Sequence, residues 1–203
     1  MEKNREQKDF PGYGIIAGVD EAGRGPLAGP LVVVAVILKI DFFNIHLNDS
    51  KKLSEKKRII LDEYIRNNCI DYNIQIISVQ DIDRLNILQA TLLGMQLAVK
   101  GLKVKPDLVL IDGNIIPSDL FINSKAIVKG DSIYPSIAAA SVLAKVARDQ
   151  LMYELDKLFP AYNFQQHKGY PTAEHWKLLL RHGVSEVHRK SFKPVRDILA
   201  MRD

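Results

Sequence analysis

Two long apolar segments near the start of the chain predict the first strands of a sheet. Residues 13–20 read YGIIAGVD and residues 30–39 read PLVVVAVILK, and both are rich in β-branched residues and bounded by Gly or Pro. The connection over residues 21–29, EAGRGPLAG, is rich in glycine. We therefore expect an antiparallel pair of strands joined by a long functional loop.

Shorter apolar segments along the rest of the chain predict further strands and helices. Strands are expected over residues 72–79, 105–113 and 126–131. Helices are expected from about residue 54, over residues 86–101 and 132–159, and around residues 172–183 and 194–202. Strands that cluster first and then alternate with helices are typical of an α/β domain with a mixed sheet, covered by helices on at least one face.

Two of the predicted helices carry more detailed expectations. The apolar positions that should face inward from the helix beginning near residue 54 are Ile59, Ile60, Tyr64 and Ile65. The long helix over residues 132–159 has first turns rich in Ala and Ser. Small side chains there permit close packing on a sheet.

Composition and charge narrow the class of protein. Hydrophobic residues make up 47% of the chain and charged residues 26%, as in ordinary globular domains. The longest apolar run, residues 31–38, is far shorter than the ~20 residues of a membrane span, and no signal peptide is evident, so we expect a cytoplasmic protein that binds no membrane. The whole net charge of +4 lies in residues 160–203. That segment either faces phosphates or forms a solvated helical surface.

Four acidic residues stand at the ends of apolar segments: Asp20, Glu21, Asp112 and Asp131. An ionised carboxylate beside a core is costly unless it is hydrogen-bonded or coordinates a cation. Because three separate segments end in this way, the pattern favours a shared cation site. The chain has one cysteine, Cys69, and an all-oxygen donor set suits Mg²⁺ or Mn²⁺ better than zinc or copper.

Each of these acids also has a simpler interpretation as a turn or helix cap. The helix-cap interpretation fits Asp131 best, because this residue directly precedes a predicted helix. Asp20 and Glu21 raise a geometric question, since neighbouring side chains on a strand point to opposite faces. Either the strand twists or bulges there, or Asp20 bridges two metals while Glu21 binds from one side.

Eight blocks of the sequence together resemble bacterial ribonuclease HII, the type 2 ribonuclease H. These blocks are GVDEAGRGPLAGPLVVVAVIL, LNDSKKLSEKKR, LNILQATLLGMQLAV, VLIDGN, IVKGDS, AAASVLAKVARD, FPAYNFQQHKGYPTAEH and HRKSFKPV. The resemblance implies an α/β RNase H-like fold, with a mixed five-stranded sheet flanked by helices and a small C-terminal helical extension. Residues 13–203 would form this domain, with a basic helical part over about residues 160–203 and an N-terminal tail over residues 1–12.

The resemblance also implies an activity and a set of catalytic residues. Members hydrolyse the RNA strand of RNA–DNA hybrids and cut on the 5′ side of single ribonucleotides in duplex DNA, leaving 3′-hydroxyl and 5′-phosphate ends. Asp20, Glu21, Asp112 and Asp131 match the family's catalytic and metal-binding acids. Two divalent ions, Mn²⁺ or Mg²⁺, would activate a water and stabilise the leaving oxygen. We expect a monomer whose partners are hybrid and ribonucleotide-containing duplexes.

Substrate recognition would fall on a second group of residues. Gly23, Arg24 and Gly25 match the family's ribonucleotide-sensing GRG, and Tyr170 matches its stacking tyrosine. A backbone without Cβ atoms can approach a sugar closely, and the 2′-hydroxyl distinguishes RNA from DNA. The simpler interpretation is that the glycines only form a tight turn.

Several basic residues are weaker candidates for phosphate binding. Lys51 and Lys168 lie in predicted loops, where they either contact phosphates or are plain surface lysines. On the long helix, Lys145 and Arg148 are expected on one face and within reach of the nucleic-acid backbone, with Asp149 as a neutralising partner.

Two other functions remain as alternatives: a non-catalytic nucleic-acid-binding module, and another nuclease or strand-transfer enzyme of the RNase H fold. The presence of all four acids argues against the first. The GRG segment argues against the second.

Overall fold

The computed structural model describes residues 5–42, 47 and 53–201, and its centre is a five-stranded sheet in the order β3-β2-β1-β4-β5. The strands are β1 (Ile16–Ala22), β2 (Leu31–Leu38), β3 (Cys69–Ile77), β4 (Leu108–Asp112) and β5 (Ser124–Ile127). β2 runs antiparallel to both β1 and β3, whereas β4 runs parallel to β1 and β5. The expected mixed sheet, including its antiparallel first pair, is confirmed.

Helices cover both faces of this sheet. They are α1 (Arg5–Asp9), α2 (Glu55–Asn68), α3 (Val79–Leu85), α4 (Ile87–Lys100), α5 (Pro135–Leu158), α6 (Phe164–His167), α7 (Ala173–His182) and α8 (Lys193–Ala200). Alternate residues of β2 pack in two separate cores, one shared with α3 and α4 and the other with α2 and α5. Burial on both faces explains why β2 is an uninterrupted apolar run. No helix in the described ranges is both long and apolar enough to cross a membrane.

Helix α5 lies unusually close to β1. A Cβ atom at Gly18 of β1 would overlap the backbone of Ser136 and Ile137 of α5. The next residues of the helix, Ala138, Ala139 and Ala140, are small and buried. This confirms the close packing expected from the Ala/Ser-rich turns, and it brings the middle of α5 next to the end of β1.

The inward face of α2 differs from the prediction. Ile65 is fully buried, but Ile59, Ile60 and Tyr64 are 50%, 60% and 38% exposed. The second buried apolar position is Leu61. A helix turns by about 100° per residue, so a stripe through Leu61 and Ile65 leaves the two preceding isoleucines on other faces.

Local boundaries also differ around β3. The strand begins at Cys69 and ends at Ile77, whereas the expected segment was residues 72–79. Ser78 instead caps α3, its hydroxyl accepting a hydrogen bond from the Asp81 amide at 3.0 Å. The short helix α3 was not predicted.

The C-terminal helices form a small core of their own against the glycine-rich loop. Leu27 and Ala28 of that loop are buried with Phe164, Leu179 and Val195 of α6, α7 and α8. The backbone continues this contact, because the Arg189 amide donates to Leu27 O at 2.8 Å. The helical extension is therefore packed on the loop that follows β1.

Candidate active site

Asp20 and Glu21 lie within β1 rather than after it. The pairing of β1 with β2 is in continuous register from residue 17 to residue 22, so the proposed bulge is absent from these strands. The Glu21 amide donates to Asp20 Oδ1 at 2.7 Å, and the Asp20 carboxylate also meets the Ser141 side chain of α5. Glu21 extends toward the loop, where its Oε1 lies 3.4 Å from Nη1 of Arg24.

Asp112 is brought to the same end of the sheet by the parallel pairing of β1 with β4. Residues 16–19 pair with residues 108–111, so one step further places Asp20 level with Asp112. Oδ1 of Asp112 accepts a hydrogen bond from the Gly130 amide at 2.6 Å. This bond attaches the end of β4 to the turn that carries the fourth acid.

Asp131 lies in a 3-10 turn, Gly130–Ser132, and is only 5% exposed. The strand expected to reach it ends earlier, at Ile127, because Lys129 adopts a left-handed conformation with φ of 57°. The residue before the first turn of α5 is Tyr134, which makes no side-chain cap. Asp131 is therefore not the N-cap of α5, and of the simpler interpretations only that of a turn residue remains for it.

The surroundings of Asp20 and Glu21 disfavour negative charge on these two carboxylates. Burial, followed by the negative charges of Glu21 and Asp112, raises the pKa of Asp20 well above its ordinary value. Burial also raises the pKa of Glu21, against the opposing effect of Arg24. A bound cation would offset this accumulation of like charge.

The donor chemistry fits a hard divalent cation. Oε2 of Glu21 is buried and has no hydrogen-bond partner within the described ranges, although the other carboxylate oxygen faces Arg24. Carboxylate oxygens are the preferred protein ligands of Mg²⁺ and Mn²⁺. Among residues 5–42, 47 and 53–201, however, no three acidic, His or Cys side chains already enclose an ion-sized space.

A cleft of about 400 Å³ opens beside Glu21. Its walls include the expected recognition residues Gly23, Arg24, Gly25 and Tyr170, together with Arg58, Ser141 and Lys145. The cleft therefore unites a buried acid, a glycine-rich backbone, an aromatic ring and basic side chains.

Gly23 and Gly25 differ in why they are glycine. Gly23 has φ of +105°, and a Cβ there would overlap the side chain of Arg148. Gly25 has no such strain, and a Cβ would stand 3.6 Å from Cε1 of Tyr170. The tight-turn interpretation thus accounts for Gly23, whereas at Gly25 the missing side chain leaves the backbone open to the cleft.

Tyr170 follows a rigid turn that is attached to the glycine-rich loop. Lys168 and Gly169 both have positive φ, and Gly169 O accepts a hydrogen bond from the Leu27 amide at 2.8 Å. Tyr170 is 42% exposed, and the guanidinium carbon of Arg148 lies 5.9 Å from the centre of its ring.

Lys168, one of the two weaker lysine candidates, does not line the cleft. Nζ of Lys168 lies 4.0 Å from the centre of the Tyr153 ring and bonds to the carbonyl of Gln165. Lys51 lies outside the described residues. Phosphate binding by Lys51 and Lys168 stays a prediction.

The expectation for Arg148 was wrong. Its side chain is 1% exposed and donates to the carbonyls of Ala28, Pro30 and Lys168 at 3.0 to 3.1 Å, so it binds protein backbone instead of facing solvent. Asp149 does neutralise Lys145, at 2.6 Å, as expected.

A second buried arginine, Arg189, was not predicted at all. Its guanidinium reaches the carbonyls of the same loop, and it is fully buried. The only signal for it in the sequence is its place in the block HRKSFKPV.

Three buried histidines, His167, His175 and His188, lie beneath the Tyr170 turn. The rings of His167 and His175 stack at 4.3 Å, and Nδ1 of His175 bonds to Tyr170 O at 3.0 Å. In the sequence they stand only as members of the basic segment over residues 160–203. Their contacts show that they support the turn from inside.

Known protein sequences match nearly the whole of this chain. A sequence model described as Ribonuclease HII matches residues 17–195. "Ribonuclease HII" of Vibrio vulnificus (strain YJ016) is 53% identical over 205 residues, covering 98% of this chain and 99% of that protein.

Solved structures show the same fold. Ribonuclease H2 from Pyrococcus horikoshii OT3 has a TM-score of 0.79 at 24% identity, over 93% of this chain and 98% of that one. Bst-RNase HIII in complex with Mn²⁺ has a TM-score of 0.64 at 18% identity, over 92% of this chain and 70% of that one. With the family match over most of the sequence, this chain belongs to the ribonuclease HII family and is a ribonuclease H-type endonuclease, an enzyme that hydrolyses RNA in RNA–DNA hybrids.

Proposed function

We propose that this enzyme also cuts duplex DNA on the 5′ side of a single embedded ribonucleotide, leaving a 3′-hydroxyl and a 5′-phosphate. The observation that carries the proposal is the shared cleft, in which Glu21 lies beside the backbone of Arg24 and Gly25 and the ring of Tyr170. Such a cleft can bring one sugar and the phosphate next to it into contact with both sets of groups. We propose a monomer acting on the duplex through this cleft.

The acidic residues would hold the cations of the reaction, Mn²⁺ or Mg²⁺. These are Asp20, Glu21, Asp112 and Asp131. When bound, divalent ions neutralise charge on the phosphate and make a water molecule more acidic. The chain itself supplies the preorganisation: the amides of Glu21 and Gly130 hold the carboxylates of Asp20 and Asp112, and burial strengthens their attraction for a cation.

The recognition residues would test the sugar. A 2′-hydroxyl both donates and accepts hydrogen bonds, so backbone amides and carbonyls at Arg24 and Gly25 can distinguish it from a deoxyribose. The exposed ring of Tyr170 offers a flat surface beside Gly25 for stacking on the neighbouring nucleotide. Lys145 and Arg58 add positive charge on the other wall for the phosphate backbone.

The direct test uses an end-labelled DNA duplex with one internal ribonucleotide, with the all-DNA duplex as a control. In Mn²⁺ or Mg²⁺ the enzyme should cut the first duplex once, 5′ of the ribonucleotide, and leave a 3′ end that a polymerase can extend. Asp20→Asn should abolish the cut. Cleavage of a long hybrid without cleavage of the single-ribonucleotide duplex would reject the proposal, and failure to cut either would favour the non-catalytic alternative.

A further inference from the structure

Arg189 is a buried charge whose hydrogen-bond acceptors are all backbone carbonyls. Nη2 donates to Gly23 O at 2.6 Å and to Gly29 O at 2.8 Å, and Nη1 donates to Arg24 O at 3.1 Å. The side chain is 0% exposed and forms no ion pair with any described carboxylate. Burial, and then the charge of Arg148, lower the pKa of Arg189 to about 9, which leaves it protonated at neutral pH.

Burying a charge without an ion-pair partner costs desolvation free energy. In return, the Arg189 guanidinium fixes the positions of several loop carbonyls. A guanidinium presents five N–H donors in a planar fork, and here the fork is used to draw several loop carbonyls to one point. Apolar side chains could fill the same space without that desolvation cost. The carbonyls are therefore oriented by Arg189, and their orientation determines that of the peptides to which they belong.

In the GRG segment, the backbone N–H groups of Arg24 and Gly25 point away from Arg189. In a trans peptide, C=O and the following N–H point in opposite directions, and the described chain has no cis peptide. Because the carbonyls of Gly23 and Arg24 point inward to Arg189, the amides of Arg24 and Gly25 point outward. Arg24 and Gly25 are exposed, line the cleft, and donate no backbone hydrogen bond to any described residue.

We infer that Arg189 is a positioning residue for ribose recognition, holding the amides of Arg24 and Gly25 toward the cleft as two adjacent donors. Successive outward N–H groups form a concave site for an oxygen acceptor, such as a 2′-hydroxyl oxygen or the adjoining phosphate. The inference rests on the proposed function, because it assigns these donors to the sugar that the enzyme senses. Arg148, the other buried arginine, does not bond to the carbonyls of Gly23 or Arg24.

The Arg189→Lys variant tests whether the shape of the guanidinium is needed in addition to its positive charge. An ammonium keeps the positive charge but is a compact group with three donors, and it cannot bond the four separated carbonyls that the guanidinium fork reaches. The peptides of Gly23 and Arg24 would then be free to rotate. A long hybrid presents a 2′-hydroxyl at each step along its RNA strand, so its cleavage depends less on one precisely held sugar contact.

The experiment compares wild type, Arg189→Lys and Leu179→Ala, measuring kcat and KM on both substrates at a temperature where circular dichroism shows each protein folded. Leu179→Ala is the matched control, because it loosens the same C-terminal core and removes no hydrogen bond to the loop. We expect Arg189→Lys to lose at least tenfold more kcat/KM on the single-ribonucleotide duplex than on the long hybrid. In Leu179→Ala the ratio of kcat/KM between the two substrates should stay within about twofold of the wild-type ratio, because this substitution only destabilises the fold.

A second measurement needs no variant and decides the matter if Arg189→Lys does not fold. In ¹⁵N-labelled wild type without divalent ions, a single-ribonucleotide duplex should shift the amide resonances of Arg24 and Gly25 more than the all-DNA duplex of the same sequence. Unshifted amides, or an Arg189→Lys enzyme with the wild-type substrate ratio, would overturn the inference. If wild type fails to cut the single-ribonucleotide duplex, the proposed function itself is wrong, so the two failures are distinguishable.

Discussion

Nε2 of His188 donates a hydrogen bond to Nε2 of His175 across 3.0 Å, in a contact where both rings are fully buried. The direction of this hydrogen bond follows from the outer partners of the two rings, Tyr170 and Ser185. Nδ1 of His175 must carry a proton, because its partner Tyr170 O can only accept. Nδ1 of His188 accepts from the amide and hydroxyl of Ser185 at 3.1 and 2.7 Å. Both histidines are therefore neutral, and together they connect Ser185 to the Tyr170 turn.

These neutral histidines should make the protein less stable in acid. Burial lowers the pKa of His175 to about 4 and that of His188 to about 3, whereas the ordinary value is 6.5. Between pH 6.5 and about 4 the unfolded chain binds more protons at these sites, so stability falls as pH falls. The slope is up to ~1.4 kcal/mol per pH unit for each histidine.

Urea unfolding between pH 7.5 and 4.5 measures this slope. The raised pKa values of Asp20 and Glu21 act in the opposite direction, so the comparison is with His188→Gln, which removes one of the titrating rings. That variant should show a shallower fall in the free energy of unfolding. An identical slope in the two proteins would contradict the assignment.

Replacing Tyr170 by alanine should selectively weaken cleavage at single ribonucleotides. Loss of one stacking contact costs about 1–3 kcal/mol, or roughly 5- to 150-fold in kcat/KM. Long hybrids should be less affected, because they contact more of the enzyme. Tyr170→Phe keeps the ring and should retain most of the activity. Equal losses on both substrates in Tyr170→Ala would exclude a stacking role specific to the isolated ribonucleotide.

Asp20→Asn should inactivate the enzyme and stabilise its metal-free form. Removing a buried negative charge next to Glu21 and Asp112 relieves repulsion, for a gain of about 1 kcal/mol. Thermal melts in EDTA test the stability, and added Mn²⁺ should raise the Tm of wild type but not of the variant. A lower Tm for Asp20→Asn in EDTA would show that the site is not strained by like charge.

Glu6 should stabilise the start of α5 from outside the catalytic cleft. Its Oε1 accepts a hydrogen bond from the Ser136 amide at 2.7 Å, whereas Tyr134 provides no side-chain cap. Glu6→Ala should lower the free energy of unfolding by about 1–2 kcal/mol. Activity per folded molecule should stay the same. Glu6→Gln keeps an acceptor oxygen and serves as the control in urea titrations, and it should be clearly less destabilised than Glu6→Ala.

The order of the main elements could be predicted from the sequence because burial imposes a pattern on neighbouring residues. β2 is apolar throughout since both its faces are covered, and Asn86 caps α4 where that helix was expected to begin. α5 begins at Pro135, three residues later than expected. Where local signals were weak, the prediction failed: α3 was missed, and the apolar pair Ile59 and Ile60 of α2 remains largely exposed.

The residues of the candidate site also differ in whether the sequence could predict them. By itself the sequence predicted which residues carry chemistry, because Asp20, Glu21 and the GRG segment are contiguous and their residue types are unusual at the end of an apolar strand. Only the tertiary structure decided the roles of Arg148 and Arg189. An arginine is exposed or buried according to whether acceptors meet it, and the carbonyls that meet Arg189 lie about 160 residues earlier in the chain. No local pattern of hydrophobic and polar residues records a contact over that separation.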